Sequence, residues 1–377
     1  MIRSTTLEED LHCLECLEQL GEFDNAIKGY RVVLGEVPDH QIALFRYSRM
    51  LRDLRQDDVE QFHLVWQVDS VNGKQWEVDW IRRMFAGLAP QEVVDGEHKL
   101  FLDGAIIVDH TLTHQKARYY FEMLKRGHRF AIIHLSDEQY QDDCLAYQFA
   151  NCVIRQYWSS HTADSRNILA MPLGFVSGFT ITRRKPADER RFNWSFIGAI
   201  NRSSRPAMIA AMRTVPSGFE HTTGYGNKAL DTLDQSISIK PWMNIQDYAA
   251  VLEESIFSPC PIGMQNLDSF RVYESLEAGC IPIVERRPNH DYFSCLLGSH
   301  PMVTVDNWDQ APAIIASLLN DPYRLETRRR QCEDWWRTYR DQFFERAQCF
   351  IRNHCKGRFR KHQHDFKGLS DDTTRSL

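Results

Sequence analysis

Ser255-Ile256-Phe257-Ser258-Pro259-Cys260-Pro261-Ile262-Gly263 is followed shortly by Asp268-Ser269-Phe270-Arg271-Val272-Tyr273-Glu274-Ser275-Leu276-Glu277-Ala278-Gly279-Cys280-Ile281-Pro282-Ile283-Val284. The apolar run Ser255–Ser258 reads as a buried strand. Asp268 or Ser269 can cap a helix over Phe270–Ala278 that ends at Gly279, and Ile281–Val284 reads as the next strand. Strand, helix and strand in this order belong to a parallel sheet covered on both faces. On the helix, Arg271 lies in the first turn and Glu274 three residues on, so they share a face. A helix start carrying an arginine suits a diphosphate, because free backbone N–H groups and a guanidinium both attract the anion. Glu274 can accept from both hydroxyls of a ribose. Glu277 is either solvated or at the ligand's edge. A surface Arg271–Glu274 ion pair is the competing account, but it leaves the small-residue frame Ala278-Gly279-Cys280 unexplained.

Upstream, Phe192–Ala199 reads as a strand that breaks at Gly198. It leads through Asn201-Arg202-Ser203-Ser204-Arg205-Pro206 into a helix, Ala207–Met212. This is a second phosphate-type start, with Arg202 or Arg205 as the cation. Gly224-Tyr225-Gly226-Asn227-Lys228-Ala229 matches the dinucleotide fingerprint GxGxxA after a weak strand, and reads as a glycine turn that approaches the nucleotide. Earlier in the chain, Leu100–Leu102, Ala105–Val108, Phe130–Leu135, Cys152–Arg155 and Asn167–Gly174 read as strands, with a helix over His114–Arg126. Polar residues just past strand ends line the ligand crevice of such sheets. They are Asp109-His110, Ser136-Asp137-Glu138 and Gly174. Asp137 and Glu138 suit a catalytic role, or equally an N-cap and first-turn acid.

The first sixty residues read differently. Leu11, Leu14, Leu17 and Leu20 recur along Leu7–Leu20. Ala26, Ile27, Tyr30, Val33 and Leu34 mark one face of a second helix, Asp24–Leu34, and Gln41–Arg52 reads as a third. Gly21 is placed at the turn, where close helix approach needs no side chain, and Cys13 and Cys16 read as core positions. This stretch resembles a tetratricopeptide (TPR) repeat, over about one repeat and a following helix. One helix pair cannot bury its own face, so the segment is expected to pack on the next domain or on a partner protein.

The second half resembles the exostosin-like glycosyltransferases of family 47, through Tyr248, Leu252, the Ser258–Gly263 run and the Asp268–Val284 run. His134-Leu135-Ser136-Asp137-Glu138, Arg155-x-Tyr157-Trp158 and Pro172-Leu173-Gly174 are similar to the ribitol-xylosyltransferase branch of that family. The resemblance spans roughly residues 100–345 and implies a GT-B architecture: α/β, with two Rossmann-like domains facing a cleft. The expected boundaries are a TPR-like segment (1–63), an acceptor domain (64–187) and a nucleotide-sugar donor domain (188–330). A C-terminal helix packing back on the first domain (331–356) and a frayed tail (357–377) follow.

The resemblance further implies an inverting transfer from a nucleoside-diphosphate sugar, UDP-linked by preference, to a hydroxyl of a glycan, polyol or lipid-linked acceptor. Donor binding falls to Gly198, Arg202, Arg205, Ser269, Arg271 and Glu274. The base is Asp137 or Glu138, with Asp109 and His110 behind them. No Asp-x-Asp motif occurs, so neither metal nor cofactor is called for, and protein cations are expected to neutralise the leaving diphosphate. The alternative is a TPR-tethered, non-catalytic scaffold retaining the fold.

Composition narrows the field. With 45 Lys+Arg against 51 Asp+Glu the net charge is −6, so no basic field would draw in nucleic acid. A 43% hydrophobic and 25% charged chain is that of a globular protein. No apolar run reaches the roughly 20 residues of a membrane span. The acidic N-terminus lacks a signal core and the ten cysteines are scattered, so a reducing, cytoplasmic setting is expected.

Overall fold

The computed structural model describes residues 7–67, 76–96, 98–223, 242–288 and 290–356. Within them lie two parallel sheets. The first is built from β1 (His63–Gln67), β2 (Gln91–Val94), β3 (Ala105–Asp109), β4 (Phe130–His134), β5 (Cys152–Arg155) and β6 (Ile168–Ala170), in the order β2-β1-β3-β4-β5-β6. The second holds β7 (Phe192–Ala199), β8 (Gly218–Thr223), β9 (Ser255–Cys260), β10 (Ile281–Glu285) and β11 (Val303–Val305), in the order β11-β10-β9-β7-β8.

Each pairing is parallel, with Ile107 opposite Ile132 in the first sheet and Ile283 opposite Pro259 in the second. Strands β3, β4 and β9 are buried along their whole length. A strand covered on both faces needs apolar residues at consecutive positions, so these runs read as continuous instead of alternating. One contiguous apolar cluster links both sheets, from Leu64 and Ile106 through Trp80 and Trp336 to Phe257 and Ile281.

Several expectations move. Leu100–Leu102 is not a strand: Asp95 accepts the backbone N–H of Lys99 and Leu100 and bends the chain there. β6 ends at Ala170, ahead of Pro172, whose missing N–H cannot serve a ladder. Gly174 does not open onto a ligand; a Cβ there would lie 2.2 Å from the Trp80 ring. The Gly224–Ala229 fingerprint lies outside the described residues.

The N-terminal helices Leu7–Gln19, Phe23–Glu36 and Gln41–Asp53 enclose a small core of Leu14, Ala26, Tyr30, Val33, Ala43 and Met50. Their close approach falls at Gly29, where a Cβ would lie 2.0 Å from Leu14, and not at Gly21, whose φ of +79° makes the turn. Cys13 and Cys16 are exposed, not core. The third helix sits on the first sheet's unit. Phe45 meets Phe149 edge-on at 5.9 Å, and the buried Arg52 donates to the Phe149 carbonyl.

The chain closes with a 34-residue helix, Pro322–Cys355. Its middle packs on the second unit, with Trp336 against Tyr273 at 5.3 Å. Its end returns to the first: Gln348 donates to the Met84 carbonyl at 2.7 Å, and Asn151 donates to the His354 carbonyl at 3.2 Å. No helix among the described residues is long and apolar enough to cross a membrane.

Candidate active site at the facing strand ends

The carboxyl ends of the two sheets face each other. Glu138, just past β4, accepts the backbone N–H groups of Met264, Gln265 and Asn266, in the loop after β9, at 2.8, 2.7 and 2.9 Å. Trp158, just past β5, donates its N–H to the Tyr292 hydroxyl and stacks on His290 at 5.5 Å, both beyond β10. Trp76 lies 6.0 Å from Phe270, at the start of helix Phe270–Glu277. The space between these contacts is the cleft.

On the second unit, cations gather where β7 and β9 end. Arg271 donates to the Ile197 carbonyl, and its guanidinium lies over the Phe196 ring at 4.5 Å. Gly198, with φ of +148°, leaves room for it: a Cβ there would stand 2.9 Å from the Arg271 Nη2. Arg205 donates to the carbonyls of Ala199, Ile262 and Gly263, bracing the β7 end against the β9 loop. Burial, with Arg271 and Arg202 nearby, pushes the Arg205 guanidinium down to about 9. Burial is the larger cause, and the neighbouring positive charge adds to it.

Among the described residues, Ser269 Oγ, Arg271 Nε and Asn201 Oδ1 are buried without a hydrogen-bond partner. Buried polar atoms are seldom left so, and donors without acceptors beside clustered arginines invite an anion. Ser269 is the N-cap residue of helix Phe270–Glu277, but its side chain makes no capping bond. Asp268 does not cap either. It receives the Tyr273 hydroxyl at 2.7 Å and the Tyr292 hydroxyl at 3.3 Å, and burial pushes its carboxyl up to about 7.

Arg271 and Glu274 share a face, yet their bonds go elsewhere. Glu274 is 4% exposed and accepts from the Tyr248 hydroxyl at 2.8 Å and the Val176 N–H at 3.3 Å. Burial raises its carboxyl above the usual range. Glu277 is neither solvated nor at a ligand's edge. It accepts from Trp336 at 2.9 Å and Arg340 at 2.8 Å, and pairs with Arg184 at 3.2 Å, tying its helix to Pro322–Cys355.

On the first unit the four nominated bases separate. Asp137 pairs with buried Arg155 at 3.1 Å and accepts the Gln141 N–H at 2.8 Å within a turn; no helix starts there, and Asp143 caps the next one, so Asp137 is neither an N-cap nor a free carboxylate. Glu138 has one oxygen filled by three amides of the facing loop. Asp109 is fully buried. Burial works to raise its carboxyl, but His98, Lys116 and Tyr120 together hold it at about 2. His110, like Glu138, is partly open to solvent; its side chain is 24% exposed and its Nε2 is 3.5 Å from Glu77. Sequence reading passed over Glu77: an acid at the start of helix Val78–Phe85 looks like an ordinary partner for the helix dipole.

Residues 178–354 match the family model described as "RXYLT1 C-terminal domain". Among solved structures the chain is similar to HepE of Anabaena in complex with UDP and glucose. Identity is 12%, over 76% of this chain and 99% of that one, with a TM-score of 0.50. The same Anabaena protein in complex with UDP-glucose gives 12% identity, 82% and 100% coverage and a TM-score of 0.50. No curated protein matches by sequence. At that identity the HepE likeness speaks for the fold alone, while the matched domain speaks for the class of enzyme: the chain is a glycosyltransferase with the GT-B fold.

Proposed function

We propose that the enzyme moves a sugar from a UDP-linked donor to a hydroxyl of a glycan or polyol acceptor, with inversion and without a divalent metal. The observation that carries this is the cation cluster of Arg202, Arg205 and Arg271 beside the unpartnered Ser269 Oγ and Arg271 Nε. Such preorganised donors stabilise charge that develops on a departing diphosphate, often the largest electrostatic contribution to this kind of step. Arg271 and the helix start at Ser269 take the phosphates. Gly198 keeps the approach open, and Arg205 holds the loop in place. Glu274 takes the ribose: Tyr248 fixes its carboxylate, and a carboxylate has about four acceptor sites, so two filled ones leave capacity for a hydroxyl. The matched ribitol-xylosyltransferase-type domain supports a polyol or glycan acceptor. The HepE complexes hold UDP, which supports UDP over other diphosphates.

Calorimetry with UDP, GDP, CDP and ADP in EDTA tests this. Selective UDP binding that Arg271→Ala weakens is the expected result. A folded wild-type protein that binds none of the four would defeat the proposal.

A further inference from the structure

Four segments of the first unit converge on one buried carboxylate. Glu77 precedes helix Val78–Phe85, with a side chain 5% exposed. Its Oε1 accepts from Gln156 Nε2 at 3.3 Å, just past β5. Gln156 is oriented in turn, its Oε1 accepting the Ser136 N–H at 2.8 Å, just past β4. The other oxygen, Oε2, stands 3.5 Å from His110 Nε2, just past β3. A chain of contacts thus runs from Ser136 through Gln156 and Glu77 to His110. Such a chain orients an imidazole: with Nε2 turned toward Glu77, a proton carried there would leave Nδ1 as the accepting nitrogen.

The chain faces the cleft. β3 lies beside β4 in the sheet, and the β4 end reaches the second unit through Glu138. Trp76, next to Glu77, meets Phe270, the neighbour of Arg271. The oriented imidazole therefore belongs to the edge that looks toward the donor cations. Of the other acids on this edge, Asp109 is held by Lys116 at 2.8 Å and by Tyr120 at 2.7 Å, Asp137 is held by Arg155 at 3.1 Å, and Glu138 gives one oxygen to the facing loop.

We infer that His110 is the catalytic base of the transfer and that Glu77, held by Gln156, is its positioning residue. This rests on the glycosyltransferase reading and names the acceptor side of that same cleft. The acceptor O–H gives its proton to His110 Nδ1 as its oxygen bonds the anomeric carbon. The bond from that carbon to the diphosphate breaks, and its electron pair leaves with the diphosphate. Glu77 stabilises the imidazolium so formed. A base of this kind contributes typically ~10²–10⁴-fold.

The test uses water as the acceptor. UDP release from UDP-xylose, UDP-glucose and UDP-N-acetylglucosamine is followed for the wild type, His110→Ala and Glu77→Gln, with UDP affinity measured beside it. In His110→Ala, kcat should fall at least ~100-fold at unchanged UDP affinity, and added imidazole should restore part of it. Glu77→Gln should lower kcat ~10-fold or more with KM unmoved. Imidazole rescue separates lost chemistry from lost structure, and retained UDP binding shows that either variant is folded. Full turnover in His110→Ala, or a loss that imidazole does not touch, would overturn the assignment. A wild type that releases no UDP from any of the three would overturn the transferase reading, and this inference with it.

Discussion

The strand ends of the two sheets carry opposite chemistry. At the first sheet, acids are spent on partners: Asp109 on Lys116, Asp137 on Arg155, Glu138 on the facing loop. At the second, Arg286 pairs with Asp306, but Arg205 and Arg271 donate to backbone carbonyls, which leave their charge uncancelled. A carboxylate that already has its cation is structure. A guanidinium whose partners are all neutral is still electrostatically available.

That contrast can be broken in three ways, taken from the largest effect downward. Arg271→Ala should weaken UDP binding ~100-fold while leaving thermal unfolding nearly unchanged, since a charge-assisted hydrogen bond is worth ~1.5–3 kcal/mol. Asp137→Ala should do the reverse. UDP affinity holds, and unfolding in urea shows a loss of ~3 kcal/mol, because Arg155 is left buried without its counter-ion. Equal effects in both variants would erase the distinction between the two edges. Gly198→Ala sharpens it. The new Cβ, 2.9 Å from the Arg271 Nη2, should shift that guanidinium and cost ~10-fold in UDP affinity, about 1.4 kcal/mol, with the fold intact.

A fourth prediction concerns Asp268. Its carboxyl is raised by burial, so the folded state holds the proton across the range where the unfolded chain has lost it. Stability should therefore decline as pH rises from about 4 to about 7, by ~1.4 kcal/mol per unit at most from this group. Asp268→Asn keeps one acceptor oxygen, for Tyr273, and turns an NH2 donor toward the Tyr292 oxygen; with no titrating carboxyl it should flatten that slope in urea titrations. An unchanged slope would show that another group sets it.

Much of the fold was legible because buried parallel strands are apolar at every position: Ala105–Val108, Phe130–Leu135 and Ile281–Val284 announced themselves. Leu100–Leu102 misled for the same reason. An apolar triplet can also lie against a core as a loop once an Asp captures its amides. The cluster of Arg271, Arg205, Ser269 and Gly198 was found from strand–glycine–helix spacing, which is local. The role of Glu277 and the pairing of Glu77 with His110 were not, because each depends on residues many positions away. Asp137 and Glu138 looked catalytic because an acid past a strand end carries the same local pattern whether it meets substrate or a neighbouring arginine.

The helix Pro322–Cys355 returns the chain to the unit where it began. The second unit is thus joined to the first twice, once through the segment near Val176 and once through this helix. Two crossings hold the facing strand ends in register where a single one would leave them free to turn, and Glu138 adds a third tie through the amides of residues 264–266.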